Sequence, residues 1–159
     1  MRNATLLFLI KKSEGKISEV CLAMKKRGFG VGRWNGVGGK LTEGETIEEA
    51  TIREAQEEIG ILAKNINKIA ELSFKFPHKP DWDQVVHTYF TEEWEGDPQE
   101  SEEMNPKWFN IKDIPFSEMW SDDILWLPQV IEGNLLKGEF VFNEGDIIKD
   151  HKTEIVKLF

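Results

Sequence analysis

Gly39-Lys-Leu-Thr-Glu-Gly-Glu45-Thr-Ile-Glu-Glu-Ala-Thr-Ile-Arg53-Glu54-Ala-Gln-Glu57-Glu58-Ile-Gly60-Ile61 is the stretch that decides the fold. A glycine turn leads into a helix, with Thr46 placed to cap its start, Glu48 and Glu49 in its first turn and Gly60 as its stop. At about 100° per residue, offsets of three and four place Glu54, Glu57 and Glu58 on one helical face. Ile52, Ala55 and Ile59 form the expected inward face. Three neighbouring carboxylates repel one another unless a cation sits among them. Hard oxygen ligands of this kind suit Mg²⁺, which commonly bridges to substrate phosphates. A merely solvated acidic face would leave the flanking glycines and Arg53 without a purpose.

The spacing of Gly39, Glu45 and Arg53-Glu54-Ala55-Gln56-Glu57-Glu58-Ile59-Gly60-Ile61 resembles the signature box of the Nudix family of MutT-like pyrophosphohydrolases. Every fixed polar and glycine position is present. Ala55 departs from the larger aliphatic residue usual there, which is expected to loosen helix packing. Further stretches resemble one branch of that family, the eukaryotic-type MutT homologues that hydrolyse oxidised purine nucleoside triphosphates. They are Met24 to Lys40, Ser101 to Met104, Pro115 to Asp123 and Trp126-Leu-Pro128. The likeness covers nearly the whole chain, with small insertions near residues 12 to 16 and 77 to 84.

The resemblance implies an α+β Nudix fold, an α/β/α sandwich around a mixed β-sheet, in one domain over residues 1 to 159. It also implies a Mg²⁺ cofactor, with Mn²⁺ as a substitute. The expected metal ligands are Gly38 through its carbonyl, Glu54, Glu57, Glu58 and Glu103. On its own, Glu103 would be an ordinary surface glutamate in an acidic run. Arg53 joins Glu54, Glu57 and Glu58 in the catalytic set, paired with Glu45 to hold the loop against the helix. Glu54, Glu58 and Glu103 are all candidates for the general base.

For the substrate, the resemblance implies that Gly38, Gly39 and Lys40 lie along the bound nucleotide, and that Asn35, Asp122 and Asp123 read the base with Thr5 and Lys25 nearby. Asparagine offers a donor and an acceptor, and two adjacent carboxyls can share one proton. Ser121-Asp122-Asp123 is also a good helix start, so capping competes with base recognition there. Phe29 and Trp120 are expected to contact the ligand, whereas Phe74 and Phe76 share one strand face as core residues would. The chain departs from the branch at Ser121, where relatives carry proline, and at Gln84 with its longer preceding loop.

Composition narrows the remaining classes. The 159 residues suffice for one domain with a real core. A net charge of −9 disfavours binding to a nucleic-acid backbone, although Lys25, Lys26 and Arg27 offer a local basic cluster for a free nucleotide. The lone Cys21, in an apolar strand pattern, forms no internal disulfide and points to a reducing, cytoplasmic setting. The first apolar run is too short for a signal peptide or membrane span, and a monomer is expected. Gly32 to Lys40 lacks the glycine and hydroxyl positions of a phosphate loop. Asp81-Trp-Asp83 reaches Val86 where a calcium loop needs glycine, and three scattered histidines make no zinc site. A sugar nucleotide or dinucleoside polyphosphate would use the same box, and a non-catalytic nucleotide sensor would tolerate loss of a box glutamate, which has not occurred.

Along the chain, Thr5 to Ile10 and Ile17 to Met24 read as paired strands, and Gly28 to Gly39 as a loop. Asn67 to Phe76 and Val85 to Trp94 read as an antiparallel pair, and Met104 to Ile111 as a short strand. A second helix is expected from Ser121 to about Glu132, followed by a hairpin over Asn143-Glu-Gly145.

Overall fold

Alternating side chains along the first strand divide the interior into two cores. In the computed structural model, which describes residues 1–159, β1 (Arg2–Ser13) lies inside a mixed sheet. Its Leu7 and Leu9 point to one face, and Phe8 and Ile10 to the other. A strand covered on both faces reads as a continuous apolar run, as Leu6 to Ile10 does. The other strands are β2 (Lys16–Lys25), β3 (Trp34–Asn35), β4 (Leu62–Lys75), β5 (Gln84–Glu95), β6 (Met104–Asn110), β7 (Leu135–Asn143) and β8 (Ile147–Val156). Their order is β3-β2-β1-β5-β4-β7-β8, with β6 also paired to β2. The β1/β5 and β4/β7 pairs are parallel and the rest antiparallel.

The helix α1 (Ile47–Ile59) packs Ala55 and Ile59 onto Leu7, Leu9 and Tyr89. On the opposite face, α2 (Asp123–Ile131) packs Trp126, Leu127 and Val130 onto Phe8, Ile10 and Phe90. The expected α/β/α sandwich is thus the architecture found. Local chemistry sets the ends of α1. Thr46 accepts from the Glu49 N–H at 3.1 Å while the Glu49 carboxylate takes the Thr46 N–H at 3.4 Å, and Gly60 closes the helix at φ 72°. Ala55, where looser packing was expected, is fully covered by its neighbours. Ile52 is only half-buried, and Glu58 turns inward at 4% exposure, so the carboxylate face is partly an interior face.

Several boundaries differ from expectation. The Gly28–Gly39 stretch contains β3, and β4 begins at Leu62 rather than Asn67. The second helix begins at Asp123, after Ser121 has donated its hydroxyl to the Asp146 carbonyl.

One docking event builds the functional end of the molecule. After pairing with β2 through β3, the chain crosses to β1, where the Leu7 and Thr5 N–H groups bond the Val37 and Gly39 carbonyls at 2.7 and 2.8 Å. A Cβ on Gly38 would lie 1.8 Å from the Thr5 carbonyl oxygen, so only glycine permits this approach. Gly38→Ala is therefore expected to destabilise the fold by about 3 kcal/mol or more, read as a lowered urea midpoint. A midpoint equal to wild type would refute the docking role.

Candidate active site

The docked strip brings the glycine turn over the α1 carboxylates. The Gly38 N–H bonds Glu58 Oε2 at 3.1 Å, and a Cβ on Gly39 would meet the Glu54 carboxylate at 2.7 Å. Arg53 ties loop to helix. Its Nε and Nη2 grip Glu45 at 2.6 and 3.0 Å, Nη1 reaches Glu54 and Glu57 at 3.0 Å each, and Nη2 also bonds the Lys40 carbonyl. This bidentate pairing, expected from the sequence, holds the Glu45 carboxyl down at about 2, helped by the Thr42 N–H. Burial has the opposite effect on the carboxyls facing inward. It raises Glu54 against the pull of Arg53, and it pushes Glu58 up to about 8 with the help of the Glu54 charge.

Glu103 reaches the same place from the segment before β6. A cavity of about 620 Å³ is lined by Glu54, Glu57, Glu58 and Glu103 together with Arg53 and Lys25. The basic cluster is not free as anticipated. Lys26 pairs with Glu100, Arg27 with Glu102 and Glu103, and Lys25 lies 4.0 Å from Glu103. Of the three, Lys25 alone lines both this cavity and the next.

A second cavity, about 590 Å³, opens on the α2 face of the sheet. Its lining includes Thr5, Phe29, Asn35, Trp120, Asp122 and Asp123, so the expected base-reading residues share one space. Thr5 turns its hydroxyl to Gly39, 3.4 Å from both the backbone N and O. Asn35 Oδ1 already accepts the Gly36 N–H at 2.8 Å, which leaves its Nδ2 as the free donor.

The capping alternative for Asp122 and Asp123 fails. Neither carboxylate caps α2; Asp122 Oδ2 instead accepts the Trp126 indole N–H at 2.7 Å. Both carboxyls are 3% exposed, and Asp123 Oδ2 has no partner in the chain. Burial raises both. The Asp122 charge raises Asp123 further, so the neutral, proton-bearing member is Asp123.

The two cavities share Lys25, Gly38, Gly39 and Lys40, so the docked strip forms a common border between an apolar-walled pocket and a carboxylate cluster. A NUDIX domain is matched over residues 1–130. The chain belongs to the Nudix family. It is 46% identical over 138 residues to the oxidized purine nucleoside triphosphate hydrolase of Danio rerio, covering 87% of this chain and 88% of that protein. The corresponding Mus musculus protein is 43% identical over 88% of this chain and 89% of its own. Among solved structures, a MutT protein from Bacillus halodurans superposes with a TM-score of 0.83 over 97% of this chain and 98% of its own, at 24% identity, a likeness of fold.

As a Nudix hydrolase, the chain acts on phosphorus anhydrides, and the family generally uses divalent metal ions. The residues fit such an ion. Two carboxyls raised by burial and by neighbouring carboxylate charge are relieved by a cation, and no group in the chain bonds the Gly38 carbonyl beside them. The carboxylates do not yet converge as three ligands on one point, since Arg53 holds Glu54 and Glu57 while Arg27 and Lys25 hold Glu103. No helix is long and apolar enough to cross a membrane.

Two residues without a place in the sequence reading join the Nudix site. Arg33 lays its guanidinium 4.2 Å from the centre of the Trp120 ring while pairing with Asp146 at 2.8 Å. Trp82, from the inserted loop, lines the base cavity. Both reach the site by tertiary folding, and no local motif marks either one. Trp126 proves to be a fully buried core residue whose indole serves Asp122.

Proposed function

We propose that this chain is a Mg²⁺-dependent pyrophosphohydrolase that converts oxidised purine nucleoside triphosphates to monophosphate and pyrophosphate, cleaning the nucleotide pool. The observation that carries this is the shared border at Gly38 to Lys40. A nucleotide lying across it has its base beside Asn35, Asp122 and Asp123 and its phosphates beside Lys25, Lys40 and the α1 carboxylates. The names of the Danio rerio and Mus musculus relatives support the same substrate class.

Metal held by Gly38, Glu54, Glu57, Glu58 and Glu103 would neutralise phosphate charge and lower the pKa of the attacking water; Mn²⁺ would substitute. The chain's own share begins with Arg53, which ties the helix to Glu45 of the preceding turn by two bonds and to the Lys40 carbonyl of the strip by one. Lys25 and Lys40 add positive charge along the phosphate path. Glu54, Glu58 and Glu103 face the space where a proton must be taken from water. At the base, the protonated Asp123 donates while Asp122 accepts, and the free amide of Asn35 adds a second donor. Phe29 and Trp120, stacked on each other, line the apolar side of the same pocket.

The reading goes with a single domain acting as a cytoplasmic monomer on free nucleotides. Both cores share one sheet, and the lone Cys21 is buried with its thiol pushed up to about 12. The test is pyrophosphate release with Mg²⁺ from 8-oxo-dGTP, 2-hydroxy-dATP, dGTP, dATP, ADP-ribose and a diadenosine polyphosphate. The expected result is a kcat/KM about tenfold or more higher on the oxidised purines than on dGTP and dATP. Cleavage confined to ADP-ribose or the dinucleotide would keep the carboxylate chemistry and discard base recognition.

A further inference from the structure

The loop between β4 and β5, flagged in the sequence as an insertion, folds into a compact turn. The Phe76 N–H bonds Asp83 Oδ1 at 2.7 Å, and the Lys79 N–H bonds the Phe76 carbonyl at 2.8 Å. Pro80 starts a single 3₁₀ turn, and the Trp82 and Asp83 N–H groups close it on Lys79 and Pro80 at 3.0 Å each. Asp83 is therefore spent on holding the turn, which leaves Trp82 to project from it.

The Trp82 indole packs edge-on against Phe76, with centroids 5.6 Å apart at 86°, and against Phe29 at 5.1 Å and 67°. Phe29 in turn stacks on Trp120 at 5.1 Å and 29°. Trp82, Phe29 and Trp120 make a continuous aromatic bridge along one cavity. Phe29 is 49% exposed and Trp82 half-buried, whereas Asp122 and Asp123 are each 3% exposed. The bridge is accordingly the rim of the pocket and the carboxyl pair its floor. Lys79 Nζ sits 4.2 Å from the centre of the Trp82 ring, pinning the indole in place.

We propose that Trp82 is a substrate-binding and specificity-determining residue, an aromatic wall on which the nucleobase packs at the rim while Asp122 and Asp123 hold it at the floor. Stacking gains grow with the π-surface covered, so this wall favours purine over pyrimidine rings without reading their hydrogen bonds. The proposal rests on the nucleotide reading above and adds to it a residue from the inserted loop. Trp82 lies outside the carboxylate cavity, so its effect falls on base binding and leaves bond cleavage alone.

The experiment compares wild type with Trp82→Ala, Trp82→Leu and Trp82→Phe, measuring kcat and KM for 8-oxo-dGTP and inhibition by 8-oxo-dGMP and by pyrophosphate. In the alanine and leucine variants, KM and the 8-oxo-dGMP inhibition constant are expected to rise about tenfold, with kcat within about twofold of wild type. Pyrophosphate inhibition stays unchanged, and phenylalanine restores most of the binding. Leucine keeps the apolar bulk of the loop, so it reports on the ring if alanine fails to fold. Unchanged KM in both variants overturns the proposal, and equal weakening of pyrophosphate overturns it in favour of a purely structural role. A wild type that ignores 8-oxo-dGTP fails the nucleotide reading first and the proposal with it, a result distinct from the other two.

Discussion

Glu58→Gln is expected to lose turnover by a factor on the order of 10³ and, unlike most active-site losses, to gain stability above neutral pH. The two effects share one cause. Glu58 is 4% exposed, and burial, followed by the neighbouring Glu54 charge, pushes its carboxyl from 4.5 up to about 8 against the Gly38 N–H. The folded state therefore binds this proton more tightly than the unfolded chain does. The contribution of Glu58 to stability is fullest below pH 4.5, falls as pH rises through the window from 4.5 to 8, and is lowest above it. The cost accumulates at about 1.4 kcal/mol for each pH unit at most, since water entering the cavity relieves part of it. Glutamine removes the charge and the penalty together. Thermal melts at pH 4.5, 7 and 9 should show the variant level with wild type at the lowest pH and higher at the highest. Mg²⁺ should raise the wild-type Tm at pH 9 and raise that of the variant far less. Glu57→Gln provides the contrast: its side chain is 59% exposed and held only by Arg53, so turnover should fall with no alkaline gain in stability. A Glu58→Gln protein no more stable than wild type at pH 9 would sink the account of this site.

The parts of this site that were legible in the sequence are those set by local geometry. Thr46, Glu49 and Gly60 mark the limits of α1 because capping involves residues three or four apart. The Arg53–Glu45 pair was readable for a related reason, since both partners lie within the box that defines the helix and its preceding turn. What could not be read depends on segments distant in the chain. The two-residue β3 exists because β2 and β1 offer edges on which Trp34 to Lys40 dock in turn. Lys26 and Arg27 look like free cations in sequence and are taken by Glu100, Glu102 and Glu103 more than seventy positions later. Locally, Ser121-Asp122-Asp123 satisfies the requirements of a helix cap. Packing decides otherwise, because Trp126, one turn on, presents its indole N–H to Asp122 from a fully buried position. The inserted loop carried no motif, and its Trp82 acquires meaning only beside Phe29 and Phe76.

Asp123→Ala is expected to cost about 10²-fold in kcat/KM on an oxidised purine triphosphate, and Asp123→Asn to change the shape of the pH profile. Asp122 and Asp123 are buried side by side, where two charges cannot both be tolerated. Asp122, pushed up to about 6 but stabilised by the Trp126 indole, is the member that ionises first. Asp123, raised well above its usual value by burial and then by the Asp122 charge, is the member that holds its proton longer. Its buried Oδ2 has no hydrogen-bond partner in the chain. Between these two ionisations the pair offers one acceptor and one donor, the combination that a purine edge bearing an oxo group and an N–H requires. Rising pH removes the shared proton, so kcat/KM should decline on the alkaline side with an apparent pKa belonging to the pair. An asparagine at position 123 keeps a donor that cannot ionise and should flatten that alkaline limb. The sign for stability agrees: a raised carboxyl weakens the fold as pH climbs from its unfolded value of 3.8 towards its higher folded one, so Asp123→Asn should melt higher than wild type in alkali and level with it in acid. Alanine leaves Asp122 without its neighbour's proton and removes the donor, and discrimination between 8-oxo-dGTP and dGTP should shrink along with kcat/KM. If Asp123→Asn keeps the wild-type alkaline limb, the proton that shapes the profile lies elsewhere, and the carboxylate cavity on the other side of the Gly38–Lys40 border is where it must then be sought.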